Sequence, residues 1–291
     1  MEKFSKFTLV IPTLYGTELE KTIIQIHQGT CIPSEIIIVI PSEFQKNIDG
    51  LKKFSNIKIL SVDFRGQVRQ RIFGFKHASN DIVIQLDDDI FVDPNCFENL
   101  IETIQNSDEQ IAVAPLFKFN DSKKSCYNND SKWFLLHRII HGKNFLKSGK
   151  ITASGLNMGI FHNEENNRLF ESDWVPGGCL AHKKCNLILE NYYPFNGKAY
   201  FEDVYHSILL RNKSVRLFVD NKAICLIEPY EKINFKSNLE EFLYFKKYRK
   251  HLIRLLNGNF FHLNLEWSLC IILYVKNLFF PKKSKLKNLM N

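Results

Sequence analysis

The sequence predicts an α/β fold built on a parallel sheet, with a helical extension at its C-terminal end. Three observations carry this expectation. Short apolar runs alternate with helical patterns through the first ninety residues, the pattern of strands covered by helices on both faces. Three consecutive carboxylates, Asp87, Asp88 and Asp89, close the apolar run IVIQL. In open α/β sheets, ligands bind beyond the carboxyl ends of the strands. Past residue 236 the chain turns basic and amphipathic.

The elements follow in order. Strands are expected at 7–12, 35–40, 57–62 and 82–86. Between the first two, Thr17 with Glu20 forms a capping box ahead of Leu19, Ile23 and Ile26 on one helical face; Ser42 with Gln45 is the same start signal. A third helix over 67–78 carries Val68, Ile72 and Phe75. Asp93-Pro94 opens a helix bearing Phe97, Leu100, Ile101 and Ile104, and a strand follows at 111–116. Residues 120–172 are polar and irregular around Trp133 and Phe134, read as an excursion that shapes a substrate site. A helix over 202–211 belongs to a second structured block. Ser237 with Glu240 opens a basic helix closed by Gly258, and NFFHLNLEWSLCIILYVKNLFF precedes PKKSKLK. The apolar stretch is broken by His262, Asn264, Glu266 and Lys276. An interfacial helix with a polybasic anchor is therefore expected rather than a spanning one.

Composition bounds the function. With 291 residues, 45% of them hydrophobic and 24% charged, the chain can bury a full core and is no disordered protein. The seven cysteines are scattered without a C-x-x-C pair, which excludes a zinc ribbon or disulfide framework and fits a reducing cytoplasm. MEKFSKFTLVIPT runs from a charged start into an apolar strand without an h-region or cleavage site, so no secretory leader is expected. The formal charge is +8, and residues 231–291 carry all of it, the rest summing to zero. A nucleic-acid-binding face would spread such charge. A tail property points instead to an anionic membrane surface.

The candidate site comes from the strand ends. Strand one ends in Pro12-Thr13, strand three in Asp63 and strand four in the aspartates, and all three ends converge in such a sheet. Alternation points Asp87 and Asp89 to one face and Asp88 to the other. Paired carboxylates there suit a hard divalent cation, Mn²⁺ or Mg²⁺, shared with substrate phosphates. Arg65-Gly66-Gln67-Val68-Arg69-Gln70-Arg71 could face a pyrophosphate, although Arg69 and Arg71 cannot share a helical face. Asp173-Trp174-Val175-Pro176-Gly177-Gly178 is a rigid turn that lets a substrate approach backbone closely. Glu202-Asp203 follows Tyr192, Tyr193, Phe195, Tyr200 and Phe201, an aromatic surface on which a sugar ring could stack. A carboxylate there is suited to deprotonate a hydroxyl.

In order and spacing, VIPTLYG, GQVRQRIFGFKHASNDIVIQLDDDIFVDP, DWVPGGCLAHKK and YFEDVYHSILLRNKSVRLF resemble the family 2 glycosyltransferases, inverting enzymes of the GT-A fold, over about residues 6–255. The resemblance implies that Pro12, Thr13 and Asp63 line a nucleotide base. It brings Arg71 to the phosphates and Asp87, with Asp88 beside it, to the nucleotide moiety. Asp89 would bind the metal, and Asp203 would be the catalytic base. Trp174, Gly177, Gly178 and Glu202 would border the donor sugar and acceptor, and Arg211 matches a basic position at the end of that helix. The chain departs from the family at Ile72, where Asn is usual, and in NKAICLIEPYEK, which has no metal-binding His; either Glu228 or water would complete the metal shell in its place.

The expected organisation is a GT-A domain over 1–236, with a nucleotide-binding half to about 118 and an acceptor-binding half from about 119, then a tail over 237–291. The expected activity is transfer from a UDP- or dTDP-linked sugar to a saccharide or lipid-linked glycan on the inner face of a cell membrane, with no nucleic-acid partner. Two competing readings are a non-catalytic carbohydrate-binding or scaffold subunit and a sugar nucleotidylyltransferase. The second wants a Gly-rich basic phosphate loop after strand one, and VIPTLYGTELEK is poor in both.

Overall fold

The computed structural model describes residues 6–16, 18–51, 53–121, 134–160, 167–229 and 233–279. Thr17, Trp133 and the lysines beyond residue 280 lie outside the described residues, as does the Gln45 side chain. The chain forms two compact units. The first comprises residues 1–130, 146–150 and 157–230; the second comprises 131–145, 151–156 and 231–291.

In the first unit the elements run β1 (Phe7–Pro12), α1 (Leu19–Ile26), β2 (Glu35–Pro41), β3 (Ile57–Val62), α2 (Gln67–His77), β4 (Ile82–Leu86), β5 (Phe91–Val92), α3 (Cys96–Gln105) and β6 (Ile111–Phe119). After α4 (Phe134–His141) of the second unit come β7 (Leu169–Glu171), β8 (Cys179–Lys183), α5 (Glu202–Asn212) and β9 (Arg216–Ile227). One sheet has the order β3-β2-β1-β4-β8-β6-β9-β5, with β7 on β9.

The sheet is not parallel throughout, as the β–α alternation implied. β3, β2, β1 and β4 are parallel, but β8 runs antiparallel to both β4 and β6. The alternation that supports a parallel sheet stops after β4. The chain then enters β8 from the Pro176-Gly177-Gly178 turn instead of from a crossover helix, so β8 starts where β4 ends. Cys179 pairs with Leu86, and the Asp87 amide donates to the Gly178 carbonyl at 2.8 Å.

Side-chain alternation divides the core. Leu9, Ile11, Ile36, Ile38, Ile84 and Leu86 pack with Leu19 and Ile23 of α1 and with Phe97, Leu100 and Ile104 of α3. Val10, Ile37, Val39 and Val83 pack on the other face with Phe75. Helix α2 lies close to the sheet because residue 74 is glycine. A Cβ there would stand 2.4 Å from Val10 Cγ1 and 3.1 Å from Val39 Cγ2.

The second unit contains α4, α6 (Asn238–Leu255) and α7 (Phe261–Phe279). The Ser237 hydroxyl accepts from the Glu240 amide at 3.2 Å, and the Glu240 carboxylate accepts from the Lys236 amide. The helix closes through Asn257, whose φ of 51° is left-handed, with the Gly258 amide returning to the Ile253 carbonyl. The expected glycine cap is thus displaced by one residue. Arg249, buried in this unit, donates through Nε and Nη2 to the Ser154 carbonyl at 3.0 and 2.7 Å and pairs with Glu266. Residues 131–145 and 151–156, read from sequence as part of a substrate-shaping excursion, belong to this helical unit.

Gly74→Ala gains helix propensity of about 1 kcal/mol but overpacks a site where Val10 and Val39 have no exposed surface, a cost of about 1–3 kcal/mol. The expected outcome is a lower urea midpoint with an unchanged m-value.

Candidate active site

At the C-terminal end of β1, Thr13 is 96% buried and connects three segments. Its amide donates to the Val39 carbonyl, its carbonyl accepts from Gln70 Nε2 at 2.9 Å, and its hydroxyl donates to Asp88 Oδ2 while accepting from the Tyr15 amide. Asp88 is held from its backbone as well, its carbonyl accepting from the Thr22 hydroxyl at 3.0 Å. Asp88 therefore faces the β1 loop, opposite in sense to Asp87. Pro12 is buried beside Thr13, and Asp63 is exposed just past the end of β3.

Asp87 points toward α2. Its Oδ1 accepts from Gln67 Nε2 at 2.8 Å and from Arg71 Nη2 at 3.0 Å. Gln67 and Arg71 lie four residues apart, so both face the same carboxylate across one helical turn. Arg71 is 1% exposed, and its Nη1 donates to both oxygens of Glu202, at 2.8 and 2.9 Å. The Tyr192 hydroxyl completes the group, donating to Glu202 Oε2 at 3.0 Å. One guanidinium thus ties the end of β4 to the first turn of α5. Burial opposes its charge, but Glu202 and then Asp87 hold its pKa above the ordinary arginine value.

This differs from the phosphate-facing role the resemblance implied for Arg71. The guanidinium is buried and committed to two carboxylates. Arg69, two positions earlier, lies exposed over the Phe64 ring at 4.3 Å. Glu202 is likewise committed, to Arg71 and Tyr192, and is not presented to a sugar. Trp174 is also internal: it is 1% exposed, and its indole Nε1 donates to the Met158 carbonyl at 2.9 Å. Of the aromatic surface read ahead of α5, Tyr192 stacks on His206, and the Tyr193 hydroxyl donates to the Lys198 and Tyr200 carbonyls. Both rings are structural.

Gly177 and Gly178 stand between the two carboxylate centres. A Cβ on Gly177 would meet Glu202 Oε1 at 2.7 Å and Asp203 Cβ at 3.2 Å; one on Gly178 would meet Ile90 Cδ1 at 2.6 Å and Asp87 Oδ2 at 3.5 Å. Gln85 Nε2 secures the turn from below by donating to the Gly177 carbonyl at 2.5 Å. Asp203 follows Phe201, which adopts a left-handed φ of 63°, a conformation uncommon for a large side chain. Asp203 Oδ1 accepts from the Val204 amide at 2.8 Å. Burial, and secondly the Glu202 charge, push the Asp203 carboxyl pKa up to about 7.

Asp89 is exposed at the rim. Desolvation, then the charges of Asp87 and Asp88, push its pKa up, and Lys198 opposes them. The Asp88 pKa is raised by burial too, against the Thr13 hydrogen bond. The unfavourable charge of Asp89, beside those of Asp87 and Asp88, is one that a divalent cation would relieve, and its carboxylate is a hard-oxygen donor. Among the described residues no three His, Cys, Asp or Glu side chains are grouped so that they could hold a metal ion together. Glu228, the stand-in for the missing His, is exposed and accepts from Asn120 Nδ2 at 2.8 Å. The donor set fits Mn²⁺ or Mg²⁺ held by one or two carboxylates with phosphate and water completing the shell.

Gln85 is a site residue that the sequence did not single out, and Gln67 and Tyr192 take roles other than the pyrophosphate-facing and sugar-stacking ones expected of their segments. Gln67 carried a signal in its four-residue spacing from Arg71. Gln85 and Tyr192 carried none, since each acts across 92 and 10 residues respectively.

This architecture is shared with known sugar-transferring proteins. The crystal structure of GalNAc-T7 with UDP, GalNAc and Mn²⁺ superposes with a TM-score of 0.60 at 15% identity, covering 96% of this chain and 59% of that one. The mannosyltransferase PcManGT from Pyrobaculum calidifontis, in complex with GDP-Man and Mn²⁺, gives a TM-score of 0.53 at 12% identity, covering 94% and 76%. No curated protein sequence matches the chain. The fold is thus of the GT-A glycosyltransferase class. The glycosyl transferase family 2 model matches residues 9–167, more than half of the sequence, and the chain belongs to that family. The matched span includes Arg71 and all three aspartates and ends before Glu202 and Asp203.

Arg71→Met would leave buried Glu202 and half-buried Asp87 without their cation, a loss of about 3–5 kcal/mol. Adding Glu202→Gln to that variant should recover part of it. A double-mutant cycle by urea unfolding checks both, and the expected coupling is favourable and larger than about 1 kcal/mol.

Proposed function

We propose that this glycosyltransferase moves a sugar from a nucleoside-diphosphate sugar, UDP- or dTDP-linked, to a hydroxyl of a saccharide or lipid-linked glycan, with inversion at the anomeric carbon. The observation that carries the reading is Asp203. It is a half-buried carboxyl poised near neutral pH beside a glycine pair, and the nucleotide-side carboxylate Asp87 lies at the pair's other end. The Mn²⁺-containing complexes of the two structural relatives support a divalent cation.

In this mechanism Thr13, with Pro12 and Asp63, borders the base of the nucleotide, and Asp87 and Asp89 face its diphosphate. A bound Mn²⁺ or Mg²⁺, held by Asp89, would neutralise charge on the departing nucleoside diphosphate. Gly177 and Gly178 leave room for the sugar because neither carries a Cβ. Asp203 takes the proton of the acceptor hydroxyl as that oxygen forms its bond to the anomeric carbon. The carbon–oxygen bond to the diphosphate breaks on the opposite side, and the electron pair leaves with the nucleotide. Arg71 and Tyr192 act indirectly, by fixing Glu202 one residue before the base.

The setting we propose is the inner face of a bacterial cell membrane, in cell-surface polysaccharide synthesis. The basic surplus of residues 231–291 and the abundance of Asn, Lys, Ile and Phe support it. No described helix is long and apolar enough to cross a membrane.

Asp203 has a sign for each observable. As a base it works ionised, so transfer should rise as pH increases through about 7. Its folded pKa lies above the unfolded value, so the unfolded chain releases this proton first. Stability therefore declines between about pH 4 and 7 for this group. Asp203→Asn should abolish transfer, leave nucleotide binding intact and raise Tm at pH 8. Retained turnover in a stopped assay would overturn the assignment of the base. Nucleotide-sugar binding in calorimetry should weaken on chelation and return with Mn²⁺.

A further inference from the structure

Residues 271–279, the last two and a half turns of α7, are all exposed. Seven of the nine are Ile271, Ile272, Leu273, Tyr274, Val275, Leu278 and Phe279, with Ile272 at 62% and Phe279 at 75% exposure. At about 3.6 residues per turn, Tyr274, Leu278, Ile271, Val275, Phe279 and Ile272 form one continuous apolar arc. Lys276 and Asn277 flank Leu273 on the other side. An apolar arc of this extent that no described residue covers marks an interaction surface.

Helix α4 of the same unit carries further exposed apolar side chains. Leu135 and Ile139, one turn apart, are 75% and 66% exposed. The helix is held to α7 within the same unit by His262 Nδ1 against the Ile140 carbonyl at 3.0 Å. This unit is also where the basic charge lies. Lys246 sits over the Trp267 ring at 3.9 Å, and Lys247, Lys250 and Arg254 share α6 with it. The sequence continues after α7 with Lys282, Lys283, Lys285 and Lys287.

We infer that the distal half of α7, together with Leu135 and Ile139 of α4, is a lipid-docking surface that inserts shallowly into an anionic bilayer leaflet. The apolar arc supplies the buried area. Lys276, on the helix's far side, and the lysines that follow supply attraction to acidic headgroups, the two-signal arrangement that peripheral anchoring requires. A protein partner would cover apolar surface but would not call for the run of lysines directly after it. The inference deepens the proposed membrane setting and does not depend on transfer chemistry.

The test is co-flotation of the full chain with vesicles of phosphatidylcholine alone or mixed with phosphatidylserine. Binding is expected to the mixed vesicles only and to fall with added salt. Ile272→Asp with Phe279→Asp should lower it by more than about tenfold, and Leu135→Asp with Ile139→Asp by a smaller factor. All four positions are exposed, so circular dichroism and Tm should stay unchanged. Turnover of a water-soluble acceptor should stay unchanged as well, which separates a failed anchor from a failed transferase. Two results would overturn the inference. One is undiminished flotation of the α7 variant. The other is a dimer in light scattering that the same substitutions dissociate, which would assign the surface to a second copy of the chain.

Discussion

The buried guanidinium of Arg71 is the constraint on which the site depends. Removing its charge from water is costly, and the structure offsets that with two carboxylates from distant parts of the chain, Asp87 and Glu202. Each carboxylate in turn is unfavourable where it lies without Arg71. The three groups are therefore stable only together, and their union places the end of β4 against the first turn of α5. Gln67 and Tyr192 add neutral donors, so the group is fixed in geometry as well as in charge.

The antiparallel entry of β8 makes this union useful. Had the chain continued as a parallel β–α unit, the glycine turn would lie at the opposite edge of the sheet. Because β8 begins beside the end of β4, Gly177 and Gly178 fill the space between Asp87 and Asp203 with backbone alone. The base gains its near-neutral pKa from the same crowding. Desolvation disfavours its charge, and the charge of the neighbouring Glu202 adds a repulsion that Arg71 offsets in part.

Much of the first unit was legible in its sequence, because strands β1 to β4 are apolar runs with clear ends and the helices between them are periodic. Asp87 and Asp88 turn to different partners, α2 and the β1 loop, but the triplet lies past the end of β4 with Asp88 and Asp89 in a turn, so strand alternation does not set the direction of Asp89. Thr13 and Asp88 meet through a hydrogen bond over 75 residues, which no local pattern announces. Arg71, Glu202 and Trp174 were read as substrate-facing because charge and aromatic size resemble a binding surface when partners are unseen. Their partners lie 131 residues apart for Arg71 and Glu202, and 16 residues upstream, at Met158, for Trp174. The direction of β8 was hidden for a similar reason: strand direction is a property of the connection, not of the five residues that form the strand.

The helical unit is threaded, not appended. Its chain leaves the sheet-bearing unit at residue 131, returns for 146–150, departs again for 151–156 and finally at 231. Arg249 of α6 reads the backbone of Ser154, and α7 holds Ile140. The two units cannot therefore be exchanged between relatives by a single crossover, and a cut at one point would orphan α4. Natural variation in this chain should accordingly appear as coordinated change in 131–145, 151–156 and 231–279, with the helices acquired or lost as a set.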